Sequence, residues 1–108
     1  MHDYFYSMDA RKYRTKLAEL KGDTLDAFDQ FNKKAFAAGA LSARDKELIA
    51  VAAAHITRCP YCIEAHTKRA KESGATEEEI AEAIFVAVVM SAGASLAHAN
   101  LSMQSLDV

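Results

Sequence analysis

Apolar residues recur along this chain at intervals of three and four, and polar or glycine punctuation falls between the runs. That spacing places one apolar stripe on each segment when it is helical, whereas strands would need strict alternation, and no segment alternates convincingly. A first, largely polar helix is expected from about Asp9 to Lys21, closed by Gly22. Asp23 or Thr24 then caps a second, whose apolar positions Leu25, Phe28, Phe31 and Ala35 keep the helical interval before Gly39 ends it. Ser42 with Asp45 three residues on is close to a capping box and opens an apolar helix from Ala43 to about Thr57. Proline is tolerated in the first turn of a helix, so Pro60 starts the next one, puts Cys59 at its N-cap and lets it run to Glu72 before Gly74. Thr76 and Glu79 form a second capping box, starting a final stretch that ends near Gln104, with a kink or break expected around Ser91 to Gly93. The predicted fold is all-α, a compact bundle of about five to six helices with a central αα-hairpin at Arg58 to Pro60.

Composition sharpens this in two ways. At 108 residues the chain is expected to form one domain, and a domain of this size leaves much of its surface uncovered, so assembly with further copies is expected. Apolar residues make up 51%, many of them alanines, which suit close helix packing. The longest unbroken apolar run, Ile84 to Met90, is continued through Ala97 only with Ser91, Gly93 and Ser95 interposed, and reads as a buried or interface helix and not a membrane span. A net charge of −2, with basic and acidic residues interleaved, leaves no stripe for nucleic acid. Met1 to Ala10 lack the basic-then-apolar order of a secretion signal, which favours a cytoplasmic location.

The two cysteines, three positions apart, exclude a disulfide framework of the secreted kind; in a reducing compartment such a pair is catalytic or metal-binding. On the helix that begins at Pro60, the intervals of three and four residues put Cys59, Cys62 and His66 on one face. Both sulfurs fall in the first turn, where free amides and the helix dipole favour a thiolate. His66 can take or relay a thiol proton near neutral pH. Glu47, in an otherwise apolar stretch of the preceding helix, is the candidate to orient that ring, because a carboxylate there needs a partner. Counting back from the turn, it lies about one helical turn from the height of His66, so contact is possible but not fixed by spacing. His55 is nearer the cysteines in height and is a structural or site-lining ring.

The pattern Glu47, Cys59-Pro60-Tyr61-Cys62, His66 resembles the alkylhydroperoxidase D-like branch of the carboxymuconolactone decarboxylase family. The resemblance spans roughly Leu41 to Ala99, with the helices of residues 9–39 as an N-terminal addition. It implies a helical dithiol enzyme in which Cys62 is oxidised to a sulfenic acid by a small hydroperoxide or attacks a disulfide. Cys59 then serves as proton donor and disulfide partner, and Glu47 and His66 form a proton relay; His55 and Tyr61 are taken as supporting residues from their places beside that set. It further implies a Cys59–Cys62 disulfide reset by an external dithiol, no bound cofactor or metal, and a homo-oligomer such as a dimer, trimer or hexamer. Dedicated alkylhydroperoxidase D proteins are longer, with two helical units where this chain has one, and better characterised members carry a histidine where Tyr61 stands.

Other readings use the same residues. His55, Cys59, Cys62 and His66 are the right types for a zinc site, although all four fall within one hairpin, where tetrahedral closure is awkward. The thiols could simply fill core space, in a non-redox helical module. The Pro-Tyr dipeptide also matches glutaredoxins, but that fold needs a strand before the motif. A decarboxylating lyase of the same family would not use the cysteine pair. Glu47 could be a solvated first-turn acid, and His98 on the apolar last helix a satisfied core histidine. Phe28, Phe31 and Phe36 read as packing, and Lys68, Arg69, Lys71 and Glu77 to Glu79 as solvated faces.

Overall fold

A computed structural model describes residues 11–107. The expected helix start at Asp9 lies outside the described residues. Four helices are assigned: α1 (Arg11–Phe36), α2 (Ala43–Thr57), α3 (Pro60–Glu72) and α4 (Glu77–Ser105), and no strand occurs among the described residues. The class is all-α, with fewer helices than expected. The chain divides into two compact units between Ala43 and Arg44.

In the first unit, the two expected N-terminal helices are joined into α1 across a kink at Lys21, whose φ of −144° and ψ of 55° are not helical. Arg14 Nη2 lies 2.6 Å from Asp29 Oδ1. On a straight helix those two positions would be about 22 Å apart along the axis, so the segment folds back on itself at the kink. Asp23 Oδ1 accepts the Thr24 amide at 2.8 Å just after the bend, the local contact expected of a residue that restarts a helix. Phe28 and Phe31, read from sequence as packing residues, are 57% and 69% exposed, and Phe36 is half-buried.

In the second unit, α2 and α3 form the expected hairpin. The Ala54 carbonyl gathers the amides of Arg58 and Cys59 at 2.8 and 3.3 Å and closes α2, with Arg58 at a φ of +60° reversing the chain. A non-glycine residue there costs roughly 1 kcal/mol, a strain held at the turn that carries the first cysteine. The far end of α3 closes with a Schellman motif: the Gly74 amide bonds to the Lys71 carbonyl at 3.0 Å and the Ala75 amide to the Ala70 carbonyl at 2.9 Å. Gly74, at a φ of +99°, supplies the left-handed residue this requires. The motif brings Ala70 and Ala75 together, and both join Val51 and Ile80 in the buried core, with Leu48 and Ile84 packed against it.

Helix α4 starts at the expected capping box: Thr76 Oγ1 accepts the Glu79 amide at 3.1 Å and Glu79 Oε1 accepts the Thr76 amide at 2.8 Å. It then runs without interruption through Ser91 to Gly93, where a kink or break was expected. An isolated glycine costs a helix about 1 kcal/mol but removes no hydrogen bond, and its neighbours Ala92 and Ala94 favour the helix. Burial on α4 ends at Ala87; every described residue after it is exposed. His98 is therefore not a core residue: it is exposed, with Nδ1 2.8 Å from the Ala94 carbonyl. By length and composition α4 meets the requirement for a membrane span, with a mean hydropathy of 2.0 over its most apolar stretch, of which 11% is buried.

Candidate functional site

The start of α3 is built around a cysteine. Cys59 holds the N-cap in an extended conformation, with Pro60 in the first turn, and its Sγ accepts the Cys62 amide at 3.2 Å. A cap side chain satisfies an amide that the helix leaves unpaired, and here a sulfur does what a serine or aspartate oxygen usually does. Both thiols are free and half-buried. A hydrogen bond to Cys59, reinforced by burial and by the charge of Cys59, pushes the Cys62 thiol up to about 11. The Cys62 thiol is thus raised, where the sequence led us to expect its acidification.

One turn beyond Cys62 on the same helix, His66 Nδ1 lies 2.7 Å from Glu47 Oε1 of α2. With the carboxylate ionised, Nδ1–H donates and the ring is held in the tautomer that leaves Nε2 unprotonated. Glu47 is only 8% exposed. Among the described residues no buried side-chain oxygen or nitrogen lacks a hydrogen-bond partner. A buried carboxylate is tolerated only when so paired, which rules out the solvated first-turn acid. The offset in height that left this contact open in the sequence is bridged by the two side chains.

The Nδ1 of His55 sits 2.8 Å from the Val51 carbonyl of its own helix, so that ring is tied back to α2. Tyr61, in the first turn of α3, is 48% exposed. Among the described residues no three His, Cys, Asp or Glu side chains are grouped to hold a metal ion, so His55, Cys59, Cys62 and His66 do not assemble into the tetrahedral set that zinc requires.

A support that sequence reasoning missed is the ion pair between Arg44, at the start of α2, and Glu79, in the capping box of α4. Glu79, read from sequence as a capping residue within a solvated run, does cap α4 but is half-buried and also serves Arg44. Arg44 is one turn before Glu47, so the pair fixes the end of α2 from which Glu47 projects. The only signal was Glu79 at the third position of a helix, which identifies a cap but not a partner.

An all-helical unit with an N-cap cysteine, a second cysteine three residues on and a buried Glu–His pair now stands beside what is known of other proteins. Residues 22–104 match the Carboxymuconolactone decarboxylase family. The chain belongs to this family. An uncharacterised protein from the cox locus of Paracoccus denitrificans is 57% identical over 82 residues, which cover 76% of this chain and 74% of that protein. An uncharacterised protein of Cupriavidus necator is 33% identical over 91 residues, covering 84% and 80% of the two chains. The crystal structure of a protein from Methanobacterium thermoautotrophicum superposes with a TM-score of 0.74 at 34% identity, covering 79% of this chain and 96% of that one. The family match begins at residue 22, upstream of the Leu41 start expected from the motif, and so takes in the part of α1 after its kink.

Proposed function

We propose that this member of the carboxymuconolactone decarboxylase family is a cytoplasmic dithiol oxidoreductase of the alkylhydroperoxidase D-like kind, reducing small hydroperoxides or disulfides through Cys59 and Cys62. The observation that carries this reading is the cap: the Cys59 sulfur accepts the Cys62 amide at 3.2 Å, so both sulfurs share one helix turn. A core-filling role for the thiols does not need that arrangement.

In the proposed cycle the Cys62 thiol passes its proton to the Cys59 sulfur and attacks the distal peroxide oxygen. The O–O bond breaks, Cys62 becomes a sulfenic acid, and the departing alkoxide leaves as the alcohol with a proton that His66 Nε2, held by Glu47, draws from solvent and passes on. The Cys59 thiol then attacks the sulfenic sulfur, releasing water and forming the Cys59–Cys62 disulfide. An external dithiol returns both thiols and is itself oxidised to a disulfide. A thiol with a raised pKa is the stronger nucleophile once it loses its proton, which suits Cys62 to the attack. No cofactor or metal enters the cycle, and nucleic acid and membrane have no part in it.

The working form is a homo-oligomer, a dimer, trimer or hexamer. Support comes from α4, where Phe85, Val86, Val89, Met90, Leu96 and Leu101 are each more than half exposed. Covering them with other copies, and not lipid, fits a helix whose first turns pack Ile80 and Ala87 into the core and whose later turns carry Ser95, His98, Asn100 and Gln104.

Single-turnover reduction of an organic hydroperoxide tests the cycle. Cys62→Ser should abolish it, Cys59→Ser should leave a trappable sulfenic acid on Cys62, and His66→Ala should slow it by roughly a hundredfold. An unchanged rate in Cys62→Ser would remove the assigned role.

A further inference from the structure

The two sulfurs of the pair occupy different electrostatic positions. Cys59 sits at the cap, ahead of the helix, where its sulfur accepts the Cys62 amide at 3.2 Å and lies at the positive end of the α3 dipole. A thiolate accepts such a bond far better than a neutral thiol does. Cys62 is inside the first turn, and its own amide is the donor that serves Cys59. The thiol of Cys62 also bonds towards Cys59, which raises its pKa to about 11. Every one of these contacts moves negative charge in the same direction.

We propose that the reduced pair keeps its single negative charge on Cys59, and that an external thiol resetting the disulfide therefore attacks Cys62 and expels Cys59. This rests on the reading of the pair as a redox centre, and adds to it the polarity of the return half-reaction. In the first step the incoming thiolate bonds to the Cys62 sulfur, the Cys59–Cys62 bond breaks, and Cys59 leaves with the electron pair as the thiolate held by the Cys62 amide. In the second step the reductant's other thiol bonds to its own partner sulfur, and Cys62 leaves and takes the proton that thiol gives up. Two electrons pass from the external dithiol to the protein disulfide. The sulfur that leaves as a hydrogen-bonded thiolate is the better leaving group in thiol–disulfide exchange, so the cap contact sets the direction of attack. The less acidic sulfur is left to react as a nucleophile, which gives the two cysteines separate tasks in the two halves of the cycle.

Two measurements on the full chain test this without peroxide. Reduced protein exposed to limiting iodoacetamide near neutral pH, quenched in acid and mapped by peptide mass spectrometry, should carry the label on Cys59 at least about ten times faster than on Cys62. Oxidised protein mixed with glutathione and quenched early should carry the mixed disulfide on Cys62. Labelling of Cys62 first, or glutathione on Cys59, overturns the proposal. A protein that labels first on Cys59 yet reduces no hydroperoxide would retain this charge assignment and lose the peroxidase reading. Peroxide turnover with Cys62 labelled first would do the reverse.

Discussion

The α2–α3 hairpin and the latter two-thirds of α4 invert the usual rule of burial within one structural unit. In the hairpin a carboxylate and an imidazole are enclosed, their side chains 11% and 14% exposed, and meet at 2.7 Å. Along α4 beyond Ala87, valine, methionine and leucine side chains face outward, with Leu96 76% exposed. Burying a charge is costly unless a partner is built in, and the hairpin supplies that partner from the same chain. Exposing a row of large apolar side chains is also costly, and α4 has nothing in its own unit to cover them. The contrast teaches that the buried polar pair is satisfied within this unit while the apolar surface of α4 is not. A helix that is apolar on every side belongs in an interior, and for α4 that interior is the proposed assembly.

The largest effect should come from breaking the apolar side of this comparison. Full burial of a valine, leucine, methionine or phenylalanine contributes about 1.5–3 kcal/mol, so the exposed row on α4 represents gross stabilisation on the order of 10 kcal/mol before the costs of association. Phe85→Asp with Val89→Asp, one turn apart, should reduce the particle to the 11.8 kDa single chain in light scattering. The melting temperature should fall by roughly 10 °C. A wild type already monomeric at micromolar concentration would end the argument for self-association.

The polar side is tested by Glu47. Its replacement in Glu47→Ala leaves the His66 ring enclosed without its acceptor and should cost about 3 kcal/mol in urea unfolding, with peroxide reduction down roughly a hundredfold. Glu47→Gln retains a hydrogen-bond acceptor, so its stability loss should be near 1 kcal/mol while the rate loss remains. Equal stability losses in the two variants would show that charge, and not hydrogen bonding, holds the ring.

The smallest effect is a pH dependence at Cys62. Its thiol is raised from 9.0 to about 11 in the folded chain, so the native state holds that proton more tightly than the unfolded state does. The stabilisation is complete below about pH 9 and drains away as the pH climbs towards about 11. The difference in urea midpoint between the reduced wild type and Cys62→Ala should shrink across that window. A difference that grows instead would mean that the folded chain favours the Cys62 thiolate.

Much of the second unit was legible residue by residue. Thr76 and Glu79, Gly74, Pro60 and Cys59 each carried a local signal, because caps and turns are decided by atoms within about four positions of one another. The same holds for the common face of Cys59, Cys62 and His66, which follows from helical pitch. Where expectation failed, the local signal was either too weak or silent about the surroundings. The Ser91 to Gly93 segment stays helical because one glycine is too weak a signal to break a helix whose neighbours favour it. His98 was assigned to a core because its run is apolar and Phe31 to packing because it keeps the helical interval, yet neither says which surface a side chain will find.

What the sequence determined on its own was the all-α class, the position of the hairpin and the turn that holds both thiols, since these depend on backbone geometry and on the side chains nearest each helix end. Tertiary structure alone decided that Glu47 reaches His66, that Arg44 reaches Glu79, and that α1 doubles back to join Arg14 to Asp29. Each of those is a through-space electrostatic contact whose strength depends on a separation of a few ångströms and on the water removed around it. Spacing along a chain fixes neither.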